Sequence, residues 1–546
     1  MSTYVDVTAV IAGSSAHILD LEVPMAATVA RASLRRLALL TSAALLAAGC
    51  SVANTGSGGY DPDTLRIVLP QEPPTLEPCE GSLTSTGIVT RSNITEPLAE
   101  RDSTTGDLLP LLATGWEQTS ANEWTFTLRD GVTFSNGAPF TSADAAFSID
   151  RAVNSDLQCN VDGYVFGDEV LTLQTPDERT VVVGTTEPDP ILPLRISFVE
   201  MVPVTTSMTE KVREPIGTGP YAIERWDYGQ KLTLARNPTY WGTPPAFARA
   251  EYKWRSEGSV RAAMLTNDEV DIATGLGPED GAGDLGVPFQ NNETTALRIT
   301  GTEAPLNDMR VRQAINYSVN RTGIVKALFR GLGEPAAQLI PEGVVGFNSD
   351  LALWPHDPEK ARQLVDEARA DGVPVDRQIR LIGRNSQFPG VTETVEVIQS
   401  ELADAGLNVK IEMMDTAAQL EYQLQPFPAN AGPFLALIQH GNQAGDAAFS
   451  VDQYMRSDGA QSAFGTPAFD EQIAAAGRLT GEARQQAYAQ IFADEPEKIL
   501  QFAYIAHMRG ILGKSPRVDY VPNPATGDEM LLATMTHASS DRTDQS

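Results

Sequence analysis

An α/β protein built in more than one lobe is encoded here, and three features carry that reading. Beyond Asp357, strands and helices alternate as strand–helix–strand, the pattern of a βαβ lobe. Between Ala113 and Arg151, a strand of alternating polarity leads through turns into a helix. At 546 residues the chain exceeds what one hydrophobic core holds, so two or three lobes are expected.

Composition narrows the function classes. A hydrophobic share of 42% with 20% charged residues is ordinary for a soluble globular protein. The net charge of −31 argues against nucleic-acid binding, which needs a basic footprint. Solubility is the plain meaning of that charge, and attraction of cationic ligands is the alternative.

The N-terminal region reads as an address. Arg31, Arg35 and Arg36 precede the apolar run Leu37 to Ala48, which ends in Gly49-Cys50. A basic segment, a short apolar stretch and small residues before a cut make a secretory signal. The run is short for a bilayer span. Leu46-Ala47-Ala48-Gly49-Cys50 resembles the bacterial lipobox, which implies lipid attachment at Cys50 and cleavage before it. Ala47 departs from that pattern, where leucine is usual. A plain secretory signal or a buried helix is the alternative. Ser51 to Tyr60 is rich in Gly, Ser, Thr and Asn and reads as a flexible tether. A start at Met25 would give a signal of normal length, so residues 1–24 are read as an over-extended frame. Besides Cys50 there are Cys79 and Cys159. An even pair in an exported protein suggests a disulfide, with two buried free thiols as the alternative. Without histidine companions they do not suggest a metal site.

The elements follow in order. Thr64 to Leu69 is a short apolar strand, followed by a proline-rich loop through Pro78. Ile88 to Asp102 reads as a helix. In Glu123 to Arg129, Trp124, Phe126 and Leu128 face one way and Thr125, Thr127 and Arg129 the other. Arg129-Asp130-Gly131 and Ser135-Asn136-Gly137 supply turns around a short second strand. Thr141 with Asp144 forms a capping-box pattern opening a helix that carries Ala145, Ala146, Phe147, Ile149 and Val153. Val181 to Val183 belong to a further strand. Tyr221 to Trp226 and Lys231 to Ala235 make a hairpin around Asp227-Tyr228-Gly229-Gln230. Gly217-Thr218-Gly219 is not a dinucleotide fingerprint, because Pro220 and the hairpin follow it instead of a helix. Val311, Ile315, Val319 and Ile324 fall near helical spacing. Asp357-Pro358 starts a helix that Gly372 stops. Then come a strand (Gln378 to Ile382), a helix (Val391 to Ala405) and strands at Val409 to Met413 and Phe434 to Ile438. Helices from Phe469 to Leu479 and Gly481 to Ala493 close the lobe, and His537 to Ser546 reads as disordered.

Three blocks carry a resemblance: ATGWEQTSANEWTFTLRDG from Ala113, IGTGPYAIERWDYGQKLTLARNPTYW from Ile216, and APLNDMRVRQAINYSVNRTGIVKALFRGLGEP from Ala304. Together they resemble the bacterial extracellular solute-binding proteins of family 5, the oligopeptide- and dipeptide-binding components of ABC importers. The resemblance implies a periplasmic-binding-protein-like α/β fold of type II, in the large three-subdomain form. Two lobes would close about a hinge over an interlobe ligand cleft. The implied division is a signal peptide at 1–49, a tether at 50–62, and a discontinuous lobe I at 63–97, 214–304 and 504–536. A small subdomain would span 98–213, lobe II 305–503, and a tail 537–546, with the hinge crossings near Pro305 and Ala503.

No nucleophile elbow, Walker A loop, zinc helix motif or C-x-x-C pair is present, and the five histidines are scattered, so neither an enzyme nor a cofactor is expected. A binding cleft asks for aromatic walls and a few convergent polar groups. Trp254, Trp354 and Tyr454 are candidate walls, each also readable as core. In peptide-binding members the amine and carboxylate ends of the ligand are gripped by charged residues beside the βαβ unit. By resemblance, Arg384 with Asn385 stands where an arginine takes the carboxylate. In Leu437 to Asp446, His440 takes the place of a tryptophan and Gln443 that of the aspartate that pairs with the ammonium, with Asn442 and Asp446 beside them. A neutral amide lacks the charge that offsets burial of a cation. Free dipeptides are therefore expected to bind weakly, and Gln443→Asp to improve them. The expected partners are a small peptide or peptide-like solute, an ABC permease and ATPase, and the membrane through a lipid anchor. A monomer at the outer face of the cytoplasmic membrane is expected. A non-peptide solute (sugar, acid conjugate or nickel chelate) and a non-transport receptor are the alternatives.

Overall fold

Two long antiparallel strands, Gly286–Ile299 and Phe502–Lys514, join the two halves of the molecule. The computed structural model describes residues 61–538 apart from 82–83, 168, 386 and 526–529, and Cys50 with the signal and tether lies outside the described residues. The two strands sit in the middle of one continuous sheet. On one side Phe434–Gly441 pairs with Gly286–Ile299, and the parallel strands Ile379–Arg384 and Val409–Met414 follow. On the other side come Ile272–Leu276, Thr64–Leu69, Arg249–Trp254, Lys231–Arg236 and Tyr221–Asp227. Among the described residues no helix is long and apolar enough to cross a membrane.

The register changes along the two central strands. Glu293 to Ile299 pair with Gly441 to Leu435, whereas Gly286 to Gln290 pair only with Gly513 to Arg509. Between Gln290 and Thr294 the ladder shifts. Leu297, Ile299, Ala503, Ile505 and Met508 pack into one core with the helices Met309–Ser318 and Val391–Asp404. The ladder thus changes partner at Gln290–Thr294, opposite His507–Arg509. The strands run straight through this point, so neither a proline nor a loop marks it.

The opening motif builds a separate four-stranded antiparallel sheet, ordered Ala113–Ser120, Glu123–Leu128, Thr180–Gly184, Thr172–Asp177. Phe126 and Leu128 are buried as the alternation requires. The capping box forms, with the Thr141 backbone N–H donating to Asp144 Oδ2 at 2.9 Å ahead of helix Ser142–Ile149. Cys79 and Cys159 join as a disulfide (S–S 2.04 Å) inside this core, the pairing suggested by their number.

Ile88 to Asp102 is not one helix. The helix is Thr84–Thr90, and a strand, Ala99–Arg101, follows. Buried Asn93 breaks the run: its Nδ2 donates to the Met530 carbonyl (2.8 Å) and its Oδ1 accepts from the Leu532 N–H (2.8 Å). Pro97, which lacks an N–H, follows soon after.

Glu96 follows shortly after, and the block from Ile216 to Trp241 converges on it. Its carboxylate accepts from Thr218 Oγ1 (2.7 Å), Trp241 Nε1 (2.9 Å) and Tyr240 Oη (3.1 Å). Desolvation outweighs these donors and pushes its pKa up to about 7. The folded chain thus holds a proton that the unfolded chain releases from its ordinary value of 4.5 upward. Stability from this group is full below that value, falls as pH rises to about 7, and is level beyond it. Buried Glu495, also raised to about 7, adds the same sign. Glu96→Gln should flatten the pH dependence, removing up to about 1.4 kcal/mol per pH unit of the slope within that window. Urea unfolding at about pH 5 and about pH 7.5 measures it, and equal slopes in both proteins would refute it.

Candidate functional site

In open α/β sheets, ligands bind beyond the carboxyl ends of the strands. The parallel strands Ile379–Arg384 and Phe434–Gly441 end beside the crossing strands, and a cavity of about 510 Å³ opens there. It takes walls from both lobes: Gly275 to Glu279 on one side, and Leu328, Phe388 and Arg384 on the other, with Phe289 and Met508 to Ile511 between them. Arg330 and Glu279 form an ion pair that bridges the two sides at the rim. A smaller cavity of about 250 Å³ beside His507 is built by residues 334–353 and the crossing strands, so it does not lie between the lobes.

Polar groups converge in the larger cavity. Arg384 ends its strand half-buried. Burial draws its pKa below the usual range while the nearby Glu293 charge opposes that shift. Gln439 stands opposite Thr295, which puts Glu293 on the same face. Gln439 Nε2 and Asn291 Nδ2 both donate to Glu293 Oε2, at 2.7 and 2.9 Å.

Of the sequence candidates, Arg384 alone lines this cavity. Asn385 is exposed, and its N–H is used by the Met414 carbonyl at 2.8 Å. His440 is core: burial pushes its pKa down to about 3, its ring sits edge-on to Tyr454 at 4.8 Å, and Nε2 meets Ser450 Oγ at 2.7 Å. Ser450 gives its own proton to Asn442 Oδ1 (2.9 Å), so Nε2 of His440 is the donor. Asn442 is buried, its amide donating to the carbonyls of Asn292 (3.1 Å) and Leu339 (3.3 Å). Asp446 is also buried, receiving both Nε and Nη2 of Arg484 at 2.7 Å. The polar groups of all three are taken up by buried partners within the fold. Gln443 is half-buried and gives its carbonyl to Arg101 of the facing lobe, outside the cavity wall. Trp254 packs against the core of the first lobe, Tyr454 is buried, and Trp354 stacks edge-on with Tyr317 at 5.0 Å. Among the described residues no cluster of three His, Cys, Asp or Glu side chains could hold a metal ion.

Glu293, Gln439 and Asn291 also line the cavity and were not among the sequence candidates. A polar Asn-Asn-Glu step inside an otherwise apolar strand was the available signal.

The family model for bacterial extracellular solute-binding proteins, family 5 (Middle), matches residues 107–467. The dipeptide-binding protein of Escherichia coli (strain K12) is 27% identical over 344 residues, which is 56% of this chain and 63% of that protein. The glutathione-binding protein GsiB of Salmonella typhi is 28% identical over 318 residues, 55% of this chain and 60% of that protein. The match thus spans about three-fifths of the length of these curated relatives. Among solved structures, the binding protein AgaA from A. tumefaciens R10 in complex with agropinic acid aligns with a TM-score of 0.73 at 23% identity, covering 87% of this chain and 99% of that one. It shares the two-lobed type II architecture. With the match extending over residues 107–467, the chain belongs to the bacterial extracellular solute-binding proteins, family 5.

Proposed function

We propose that this protein is the substrate-binding component of an ABC importer, capturing small peptides or peptide-like solutes outside the membrane. The observation that carries the reading is the cavity at the strand ends, enclosed by both lobes and holding Arg384 where it can take a carboxylate. The E. coli and Salmonella relatives, named for dipeptide and glutathione binding, support the same class. Ligand enters while the lobes are apart, closure occurs about Gln290–Thr294 and His507–Arg509, and the closed form docks on the permease, whose ATPase drives uptake. No covalent step is involved. Lipid attachment at Cys50 holds the monomer at the outer face of the membrane. Cys50→Ser should then move the protein into the soluble fraction, and retention in the membrane would refute the anchor.

Native mass spectrometry of the solute that co-purifies with the protein tests the reading. A strain lacking the gene should lose uptake of that solute, and unchanged uptake would overturn the importer role. The agropinic acid complex of AgaA favours a second reading, a non-peptide acid conjugate held by the same arginine.

A further inference from the structure

The segment that follows strand Phe434–Gly441, with its helix Ala448–Tyr454, belongs to two cores at once. Val451 and Tyr454 pack with Phe434, Ala436 and Ile438 of that strand. Ala444 and Phe449 pack instead into the core of the four-stranded sheet, with Phe126, Val183, Ile196 and Phe198. The buried Phe449 ring has its centroid 6.1 Å from that of Phe198 and 5.0 Å from the Arg195 guanidinium carbon. Arg195 is itself fixed, Nε donating to Asp189 Oδ2 at 2.9 Å and Nη1 to the Val165 carbonyl. Asp452 lies one turn along the helix from Phe449, where burial pushes its carboxyl up and the Arg195 charge opposes that shift. A second contact joins the same parts of the chain: Arg101 Nη1 donates to the Gln443 carbonyl and, at 3.0 Å, to the Ala525 carbonyl. None of Arg101, Arg195, Phe198, Gln443, Phe449 and Asp452 lines the cavity of about 510 Å³.

We propose that Phe449 and Arg195 are positioning residues for solute capture, a clasp that holds the part carrying the four-stranded sheet against the part carrying helix Ala448–Tyr454 before any solute arrives. The inference rests on the solute-capture reading only for its lobe closure. Parting the two there would bare the Phe449 ring and undo its contacts with Phe198 and the Arg195 cation, and each of these favours the joined state. Solute therefore meets a protein whose closed form is already populated, and less of its binding energy goes into closing the lobes. The clasp sets affinity from outside the cavity. It also has to part before solute enters or leaves, so it slows exchange between the bound and free forms.

The test needs no solute, so its failure is separate from a failure of the importer reading. The purified full-length protein is stripped of bound solute by unfolding in denaturant, dialysis and refolding. It is then read by small-angle X-ray scattering and by amide hydrogen exchange. The wild type should scatter as the closed structure does, with slow exchange at residues 191–199 and 444–455. Phe449→Ala should enlarge the particle and speed exchange at least about tenfold in those two segments, leaving strands Glu123–Leu128 and Phe434–Gly441 protected. Phe449→Leu keeps an apolar side chain and loses the ring, so it should fall between the two, as should Arg195→Gln. If Phe449→Ala loses protection throughout, the milder Phe449→Leu and Arg195→Gln decide by the same pattern. A wild type already open without solute, or variants as compact as the wild type, would overturn the inference and leave solute capture standing.

Discussion

Arg484→Met should destabilise the folded protein by about 3–5 kcal/mol, because it strands a buried carboxylate. Asp446 and Arg484 are only 3% and 4% exposed, and two bonds of 2.7 Å join them. Asp446 Oδ1 also accepts the Ala448 N–H at 2.9 Å at the start of helix Ala448–Tyr454, and Arg484 Nη1 reaches the Gly477 carbonyl at 3.0 Å. With the guanidinium gone, the carboxylate either takes a proton or opens the helix start. The double change Asp446→Asn with Arg484→Met should cost less than Arg484→Met alone, since no charge is left behind. Urea midpoints at constant m report both. A loss below about 1 kcal/mol for Arg484→Met would refute the structural role, and a change in ligand affinity at unchanged stability would return Asp446 to the binding site.

The second large effect lies at Glu77. Its carboxylate is fully buried and receives Arg151 Nη1 at 2.6 Å and Nη2 at 3.0 Å. It also accepts the backbone N–H groups of Val212 (2.6 Å) and Cys79 (3.2 Å), while Arg151 Nε donates to the Ser207 carbonyl at 2.6 Å. One residue pair thereby fastens the loop after the first strand to the small subdomain, close to the disulfide. Glu77→Leu should lower stability by about 3–5 kcal/mol, by leaving a cation in the core and several donors without their acceptor. Glu77→Leu with Arg151→Met should recover much of the charge part but not the backbone bonds. If the double variant is no more stable than Glu77→Leu alone, the ion pair is not the source of the loss.

Local chemistry made much of the fold legible. The alternation in Glu123–Leu128, the Thr141–Asp144 box and the Asp357-Pro358 helix start each depend on a few adjacent residues, and each formed where expected. The crossing strands did not show themselves, because Gly286–Ile299 carries Asn-Asn-Glu in its middle and changes partner there. Arg384 was singled out because its place at a strand end matched the family pattern, and it lines the cavity. His440, Asn442 and Asp446 lie buried and off the cavity wall, since a polar side chain at or just beyond a strand end reads the same whether it faces a ligand or satisfies buried groups. Glu293 was one acid among 71, and what distinguishes it is an amide 146 residues away.

The interrupted ladder between Gln290 and Thr294 has a mechanical consequence. A continuous sheet resists bending, since folding it would tear cross-strand bonds one after another. Here that pairing is already missing over Asn291 to Glu293, and Asn292 turns through a left-handed conformation at φ 56°. The sheet is thus interrupted on one side only, since on the other the Asn442 N–H still reaches the Asn292 carbonyl at 2.8 Å. Glu293 stands at this interruption, where its strand has lost one neighbour and still pairs with Gly441 of the other.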